Sequence, residues 1–479
     1  MTRTYETVIG LEVHVQLDTR TKVFCSCDTR FGAAPNSNVC PVCLGLPGVL
    51  PVLNRRAFEY AVKVAFALDC DIQSTIKFDR KNYYYPDLPK NYQISQYDMP
   101  IAYDGAVTIS VPEGGTRRIG VKRAHLEEDA GKLLHDRDPE FSYVDLNRTG
   151  TPLLEIVSEP ALHSPEQAYR YLVTLKQIVK YLGVSDCNME EGSLRCDANI
   201  SLREKDEEIL GTKVEIKNLN SFKAVRDALE YEAERQSDLL DEDGIVTHET
   251  RLWDEKARMT VSMRSKEMAQ DYRYFPDPDL VPFEVDKSVL EEIRRELPEL
   301  PQDREKRFRR SYDLEDHDIG IILADREFAD FFEEVASESG SPREACKWMT
   351  GEVLKNMNER GADIVSLGLA PESLAVIIGM VSESRISRLV AKDVLAECIE
   401  RGRSPEDIVK EKGLEQVSDT GELESIVDRV IADNRKTVDD YRGGKQNALS
   451  YLIGQVMRAT RGKANPKVAG RMLRDRIER

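Results

Sequence analysis

Four cysteines fall within nineteen residues, as Cys25-Ser-Cys27 and Cys40-Pro-Val-Cys43. Two close pairs joined by a short loop suit a tetrahedral Zn²⁺ with all four positions filled, which is a structural rather than a catalytic centre. Unliganded thiols are the other reading, because C-x-C is tighter than the commonest spacing. A second group is acidic. From Val8 to Leu17 apolar and polar residues alternate, so Glu12, His14 and Gln16 share one strand face and Ile9, Leu11, Val13, Val15 and Leu17 the other. Residues i and i+2 on such a face lie about 6 to 7 Å apart, workable for two ligands of one metal. A solvated strand face would carry the same pattern.

Three further acidic stretches tilt this towards metal binding: His125-Leu-Glu-Glu-Asp129, Glu155 within the apolar run Thr151 to Val157, and Asp197 in Arg195-Cys-Asp-Ala-Asn199. A lone carboxylate in an apolar run is costly unless it is paired or coordinated, so Glu155 is a metal ligand or half of a structural ion pair. Carboxylates with a histidine suit an oxygen-preferring ion such as Mg²⁺, although histidine also admits Mn²⁺ or Zn²⁺. Mg²⁺ points in turn to phosphate chemistry.

Familiar nucleotide signatures are missing from the sequence. Gly115-Thr-Arg-Arg-Ile-Gly120 is followed by Val-Lys, one residue out of register for a phosphate-binding loop. Between Phe78 and Gln93, Lys81 and Lys90 are interleaved with four tyrosines. Such a stretch can neutralise phosphate and stack on a base, or simply pack on a core.

The elements that would carry these residues are mixed α/β up to about residue 290, with Leu194 to Arg203 a second alternating strand. A helix is expected from Ser164, with Pro165 at its first position, Gln167 completing a capping box, a stripe of Leu172, Leu175, Val179 and Leu182, and Gly183 as its end. Another should cover Phe222 to Leu240. Prolines crowd between Phe275 and Pro301, the best domain boundary. Beyond them the pattern is helical, with loop signals near Gly340-Ser-Pro342, Gly361 and Arg403-Ser-Pro405. The expected fold class is α+β: a mixed α/β domain at 1–296, an all-helical domain at 297–404 and a helical tail at 405–479.

The net charge of −18 argues against general nucleic-acid binding, but it is unevenly spread. From Tyr441 to Arg479 ten basic residues, among them Arg458, Arg461, Lys463, Lys467 and Arg471, face only Asp475 and Glu478. A basic tail on an acidic body is compatible with docking a nucleic acid. The longest apolar run, near Leu374 to Val381, is far short of the roughly 20 residues that span a bilayer. The N-terminus lacks the apolar core of a signal peptide, and nine cysteines do not form a disulfide framework, so a cytoplasmic protein is expected.

Taken in order, Val8 to His14, Asp79 to Pro86, Tyr92 to Gln96, His125 to Lys132, Asp145 to Pro152, Glu190 to Asn199 and Asp271 to Pro276 resemble the B subunit of the aspartyl/glutamyl-tRNA amidotransferases. Gly454 to Met457 and Gly462 to Pro466 resemble that family's tail. The resemblance implies a cradle-like catalytic domain, a helical domain and a YqeY-like tRNA-binding tail. It implies that ATP phosphorylates the side-chain carboxylate of misacylated Glu-tRNA(Gln) or Asp-tRNA(Asn), after which ammonia displaces phosphate. His14 matches the family's metal-binding histidine, with Glu12, Glu128 and Glu155 as carboxylate partners and Asp197 a weaker candidate for a second Mg²⁺. The choice between Glu127 and Glu128 depends on strand phase, and the resemblance favours Glu128. Lys81 and Lys90 are expected to add positive charge near the phosphates or to gate ammonia. The resemblance supplies an amidase-type glutaminase A subunit as the ammonia source and a small C subunit. The competing reading is a zinc-stapled tRNA-docking scaffold whose chemistry lies in another protein of the complex.

Overall fold

The computed structural model describes residues 4–111, 114–134, 141–263, 272–415, 420–445, 447–460, 464 and 466–478. The chain divides into two compact units, residues 1–301 and 302–479.

In the first unit the strands are β1 (Tyr5–Gln16), β2 (Asp71–Ile72), β3 (Thr75–Ile76), β4 (Asp79–Asn82), β5 (Tyr92–Ser95), β6 (Ala102–Ser110), β7 (Thr116–Glu128) and β8 (Lys132–Leu134). They continue as β9 (Tyr143–Asp145), β10 (Pro152–Ser158), β11 (Leu194–Glu204), β12 (Val214–Leu219), β13 (Glu249–Asp254), β14 (Met259–Ser262), β15 (Arg273–Pro276) and β16 (Phe283–Glu284). Nine of them form one sheet in the order β14-β13-β12-β11-β1-β10-β7-β6-β2. Every pairing in it is antiparallel except β12 with β13. A three-stranded sheet, β15-β4-β5, carries the tyrosine-rich segment.

Strand β1 sits near the middle of the large sheet and has the expected phase. Ile9, Leu11, Val13 and Val15 are buried in the main core with apolar residues of helices α1 (Arg55–Ala67), α2 (Pro165–Tyr181) and α3 (Phe222–Asp241). Glu12, His14 and Gln16 are only half-buried and lie on the opposite face, which is where the polar chemistry collects. Helix α2 follows the sequence closely. Ser164 Oγ accepts the Gln167 N–H at 3.2 Å, Gln167 Oε1 accepts from His163 N at 2.9 Å, and Gly183 ends the helix at φ 63°. Helix α1 is capped by Asn54, whose Oδ1 accepts from Arg56 N at 2.9 Å.

The second unit is helical throughout the described residues and contains two separate apolar cores. One runs from Phe308 to Val409 around Trp348 and Phe332, the other from Leu423 to Ile477 around Leu452 and Leu473. Its loops fall at the expected punctuation: Gly340, Gly361 and Gly402 end helices with positive φ, and Pro342 and Pro405 begin the next ones. No described helix is long and apolar enough to cross a membrane.

Candidate functional site

The polar face of the large sheet is organised by register. On the row through His14, the Cα partners across β11, β1, β10 and β7 are Arg195, His14, Glu155 and His125. Residues that face each other on adjacent strands bring their side chains within reach, so this row gathers groups that lie far apart in sequence. His14 Nε2 is 3.2 Å from Glu155 Oε2, and His125 Nε2 is 3.4 Å from the same oxygen. Two residues along β7 from His125, Glu127 points to the same face. Its carboxylate is 3.5 Å from His125 Nε2 and 4.0 Å from His14 Nε2, and it accepts from Ser95 Oγ at 3.0 Å. His14, Glu127 and Glu155 each present a donor atom, all within 4.8 Å of one another.

Burial makes this cluster electrostatically tense. His125, Glu127 and Glu155 are all buried. Burial works against the Glu155 charge, but His125 and His14 more than offset it and hold the carboxyl well below its usual range. Burial likewise disfavours the His125 imidazolium, yet Glu155 and Glu127 push it up to about 9, and the same two carboxylates raise His14. Lys81 completes the setting. Its Nζ lies 4.6 Å from the Tyr272 ring centroid, and Tyr274 is its Cα partner on β15. Burial opposes this ammonium too, and Glu127, Tyr274 and Glu155 outweigh that and raise its pKa. Two carboxylates and an imidazole converging within such distances, with basic groups behind them, fit a divalent cation of the Mg²⁺ or Mn²⁺ kind.

The other expected site residues lie elsewhere. Glu128 turns to the opposite face from Glu127, where it pairs with Lys90 and accepts from Ile94 N at 3.0 Å. It therefore takes no part in the three-donor cluster, and neither does Lys90. Glu12 is one row away and accepts from Asn199 Nδ2 at 3.0 Å, while Asp197 pairs with Lys217 at 2.7 Å. Sequence reasoning leaves Glu127 open beside the favoured Glu128 and gives His125 no role of its own. The signal that finds them is strand phase: Ala124 and Leu126 are core residues, so His125 and Glu127 must share the other face. Asp129 also escapes it. This residue is buried and binds Gln16 Nε2 at 2.6 Å and Arg195 Nη2 at 2.8 Å, which fixes the end of the polar row.

The Sγ atoms of Cys25, Cys27, Cys40 and Cys43 also lie within 4.8 Å of one another. Hydrogen bonding from the Cys25 thiol, against the opposing effect of burial, pulls Cys43 down to about 4, while Cys25 itself is raised. Burial and the neighbouring Cys40 thiol push Cys27 up to about 11. Four sulfur donors this close together form a set that a tetrahedral cation would fit.

In the second unit Arg458 and Arg471 are exposed on the helices Asn447–Ala459 and Pro466–Ile477. Arg461, Lys463 and the Lys467 side chain lie outside the described residues.

The region that carries this sheet falls in a known class: residues 7–291 match the family described as the GatB/GatE catalytic domain, and residues 330–477 match the GatB domain. The chain is 54% identical over 478 residues, 99% of each chain, to the B subunit of the aspartyl/glutamyl-tRNA(Asn/Gln) amidotransferase of Carboxydothermus hydrogenoformans. Proteins of the same name from Caldanaerobacter subterraneus and Persephonella marina are 52% and 51% identical over 475 residues, covering 99% of this chain and all of theirs. The chain belongs to the family of aspartyl/glutamyl-tRNA(Asn/Gln) amidotransferase B subunits.

Proposed function

We propose that this chain, the B subunit of a tRNA amidotransferase and so part of a ligase-type enzyme, activates the side-chain carboxylate of misacylated Glu-tRNA(Gln), Asp-tRNA(Asn) or both. A carboxylate oxygen attacks the γ-phosphorus of ATP, the bond to the β-phosphate oxygen breaks, and ADP leaves. Ammonia then attacks the acyl carbon, phosphate departs, and an amide forms. Phosphoryl transfer of this kind needs charge neutralisation and in-line positioning more than a covalent nucleophile.

The observation that carries this reading is the convergence of His14, Glu127 and Glu155 beside Lys81 on one face of the sheet. These three would hold Mg²⁺, which when bound neutralises phosphate oxygens. Glu127 stands here in the place that the family resemblance suggested for Glu128. Lys81, boxed by tyrosines, supplies a fixed positive charge towards the transferred phosphoryl group. His125, whose Nε2 lies 3.5 Å from the Glu127 carboxylate and 3.4 Å from that of Glu155, orients them and limits their mutual repulsion. Glu12 and Asp197 on the next row are candidates for a second ion. Lys90 and Glu128 form a buried pair away from the donors, suited to controlling passage of a small neutral molecule such as ammonia.

In this reading the four cysteines hold a structural Zn²⁺ and the basic C-terminal helices, through Arg458 and Arg471, contact tRNA. Ammonia comes from a glutaminase A subunit, a small C subunit completes the complex, and the assembly works in the cytoplasm. The test is tRNA-dependent release of phosphate from ATP by the reconstituted complex carrying Glu155→Gln. Lost release with tRNA binding and glutaminase activity retained is the expected result. Unchanged release would leave the chain as a tRNA-docking scaffold.

A further inference from the structure

Lys22 has no exposed surface at all, at 0%. Its Nζ donates to Asn38 O at 2.8 Å and lies 3.5 Å from Leu146 O and 3.7 Å from Cys43 Sγ. Those three acceptors match the three N–H bonds of an ammonium, but two of them are neutral carbonyls. A charge removed from water needs an opposite charge close by. Among the described residues no carboxylate forms an ion pair with Lys22, and Glu128, which lines the same pocket, is already paired with Lys90. The sulfur cluster is the remaining source. Four thiolates around a divalent ion carry a net charge of about −2, concentrated on the sulfurs.

We infer that Lys22 is the charge partner of the Cys25–Cys27–Cys40–Cys43 metal centre, a positioning residue whose ammonium offsets thiolate charge at Cys43 and ties the metal loop to the segment before β10. This rests on reading the four cysteines as a metal site. The tie is reinforced on both sides of the lysine. Asn38 N donates to Asn147 Oδ1 at 2.8 Å, Leu146 N donates to Asn36 Oδ1 at 2.8 Å, and Asn147 Nδ2 donates to Ala34 O at 2.7 Å. The segment then reaches Gly150, with φ 81°, where a β-carbon would stand 3.6 Å from both Lys22 Cδ and Glu128 Oε1 and 3.7 Å from Cys43 Cβ. Metal loop, lysine and the Glu128–Lys90 pair thus share one wall, so loss of the metal should loosen Lys22 first.

The experiment uses the full-length chain purified with its metal. Metal content per chain, by atomic absorption, tests the cysteine site itself. Acylation of lysines by acetic anhydride, read by peptide mass spectrometry, then compares Lys22 in loaded and chelator-stripped protein, with exposed lysines as internal standards. Lys22 should be protected when loaded and at least about 10-fold more reactive when stripped. In Lys22→Met, metal release to a chromogenic chelator should be about 10- to 100-fold faster, the range for losing an outer partner of a metal ligand. One metal per chain with equal Lys22 acylation in both states overturns the inference while leaving the metal site standing. Absence of metal at the cysteines overturns both. Should Lys22→Met fail to fold, the acylation comparison on the unaltered chain decides alone.

Discussion

Adjacent glutamates on one strand give the most discriminating test of the site. Glu127 and Glu128 are both buried, but they face opposite sides of β7 and have different partners. Replacing Glu127 with Gln keeps the shape and removes a charge from the donor cluster. Opposite unit charges about 4 Å apart, at an effective dielectric constant of ~20, attract by about 4 kcal/mol. The amide oxygen recovers part of that, so Mn²⁺ affinity, measured by electron spin resonance, should fall about 10²- to 10³-fold. Phosphate release by the complex should fall with it, and the melting temperature should hold. Glu128→Gln behaves differently, because it strands the Lys90 ammonium, whose side chain is only 5% exposed. Breaking a buried pair costs about 3 to 5 kcal/mol, a drop on the order of 10 °C for a unit of this size, with Mn²⁺ affinity preserved. Normal metal binding and turnover in Glu127→Gln, with both lost in Glu128→Gln at an unchanged melting temperature, would refute this reasoning and return Glu128 to the metal.

Two further expectations concern the framework. In Gly105→Ala the new methyl would meet Cys70 Sγ and, at 2.7 Å, Leu68 O, so stability in urea should drop by about 1 to 3 kcal/mol; unchanged stability would mean that the β6 edge gives way freely. In the helical unit, burial opposes the Glu333 charge, but Arg307 and Arg304 overcome it and hold its carboxyl below the ordinary 4.5. A depressed carboxylate stabilises above its unfolded pKa, and that contribution is lost as pH falls through the folded value. Acid unfolding followed by Trp348 fluorescence in a Trp253→Phe background should therefore be steeper below about pH 4.5 than in Glu333→Gln. Superimposable curves would show that the arginine pair gives nothing.

What can be read in the sequence depends on how local its cause is. The phase of β1, the cap and end of α2, and the close spacing of the four cysteines come from neighbouring residues, and each has its counterpart in the structure. The end of β7 is harder. From Ala124 to Glu128 every residue is buried, because both faces of the strand are covered, so polarity no longer reports phase. Only the core positions of Ala124 and Leu126 assign Glu127 to the donors. Glu155 illustrates the other limit. Its apolar surroundings show that it needs a partner, but the partners, His14 and His125, come from strands paired by long-range register. Lys22 gives no sign at all, since a lysine before an apolar pair reads as an ordinary surface residue.

On the proposed reading, the same register would let the chain handle phosphate without a glycine-rich loop. Such loops present backbone N–H groups, whose positions are set by one local turn. Here the charges are side chains on a sheet, and their spacing is set by inter-strand hydrogen bonds that the whole core enforces. The row Arg195, His14, Glu155 and His125 sets a carboxylate among basic groups, with Lys217 and Asp197 alongside it. Removing Glu155 leaves the buried His125 without one of its two carboxylate partners, which couples the site's integrity to its charge pattern. A site built in this way can move its ligands only by moving strands. Adaptability to two amino-acid side chains would then come from the tyrosine-bearing β15-β4-β5 sheet, and the donor row would stay fixed.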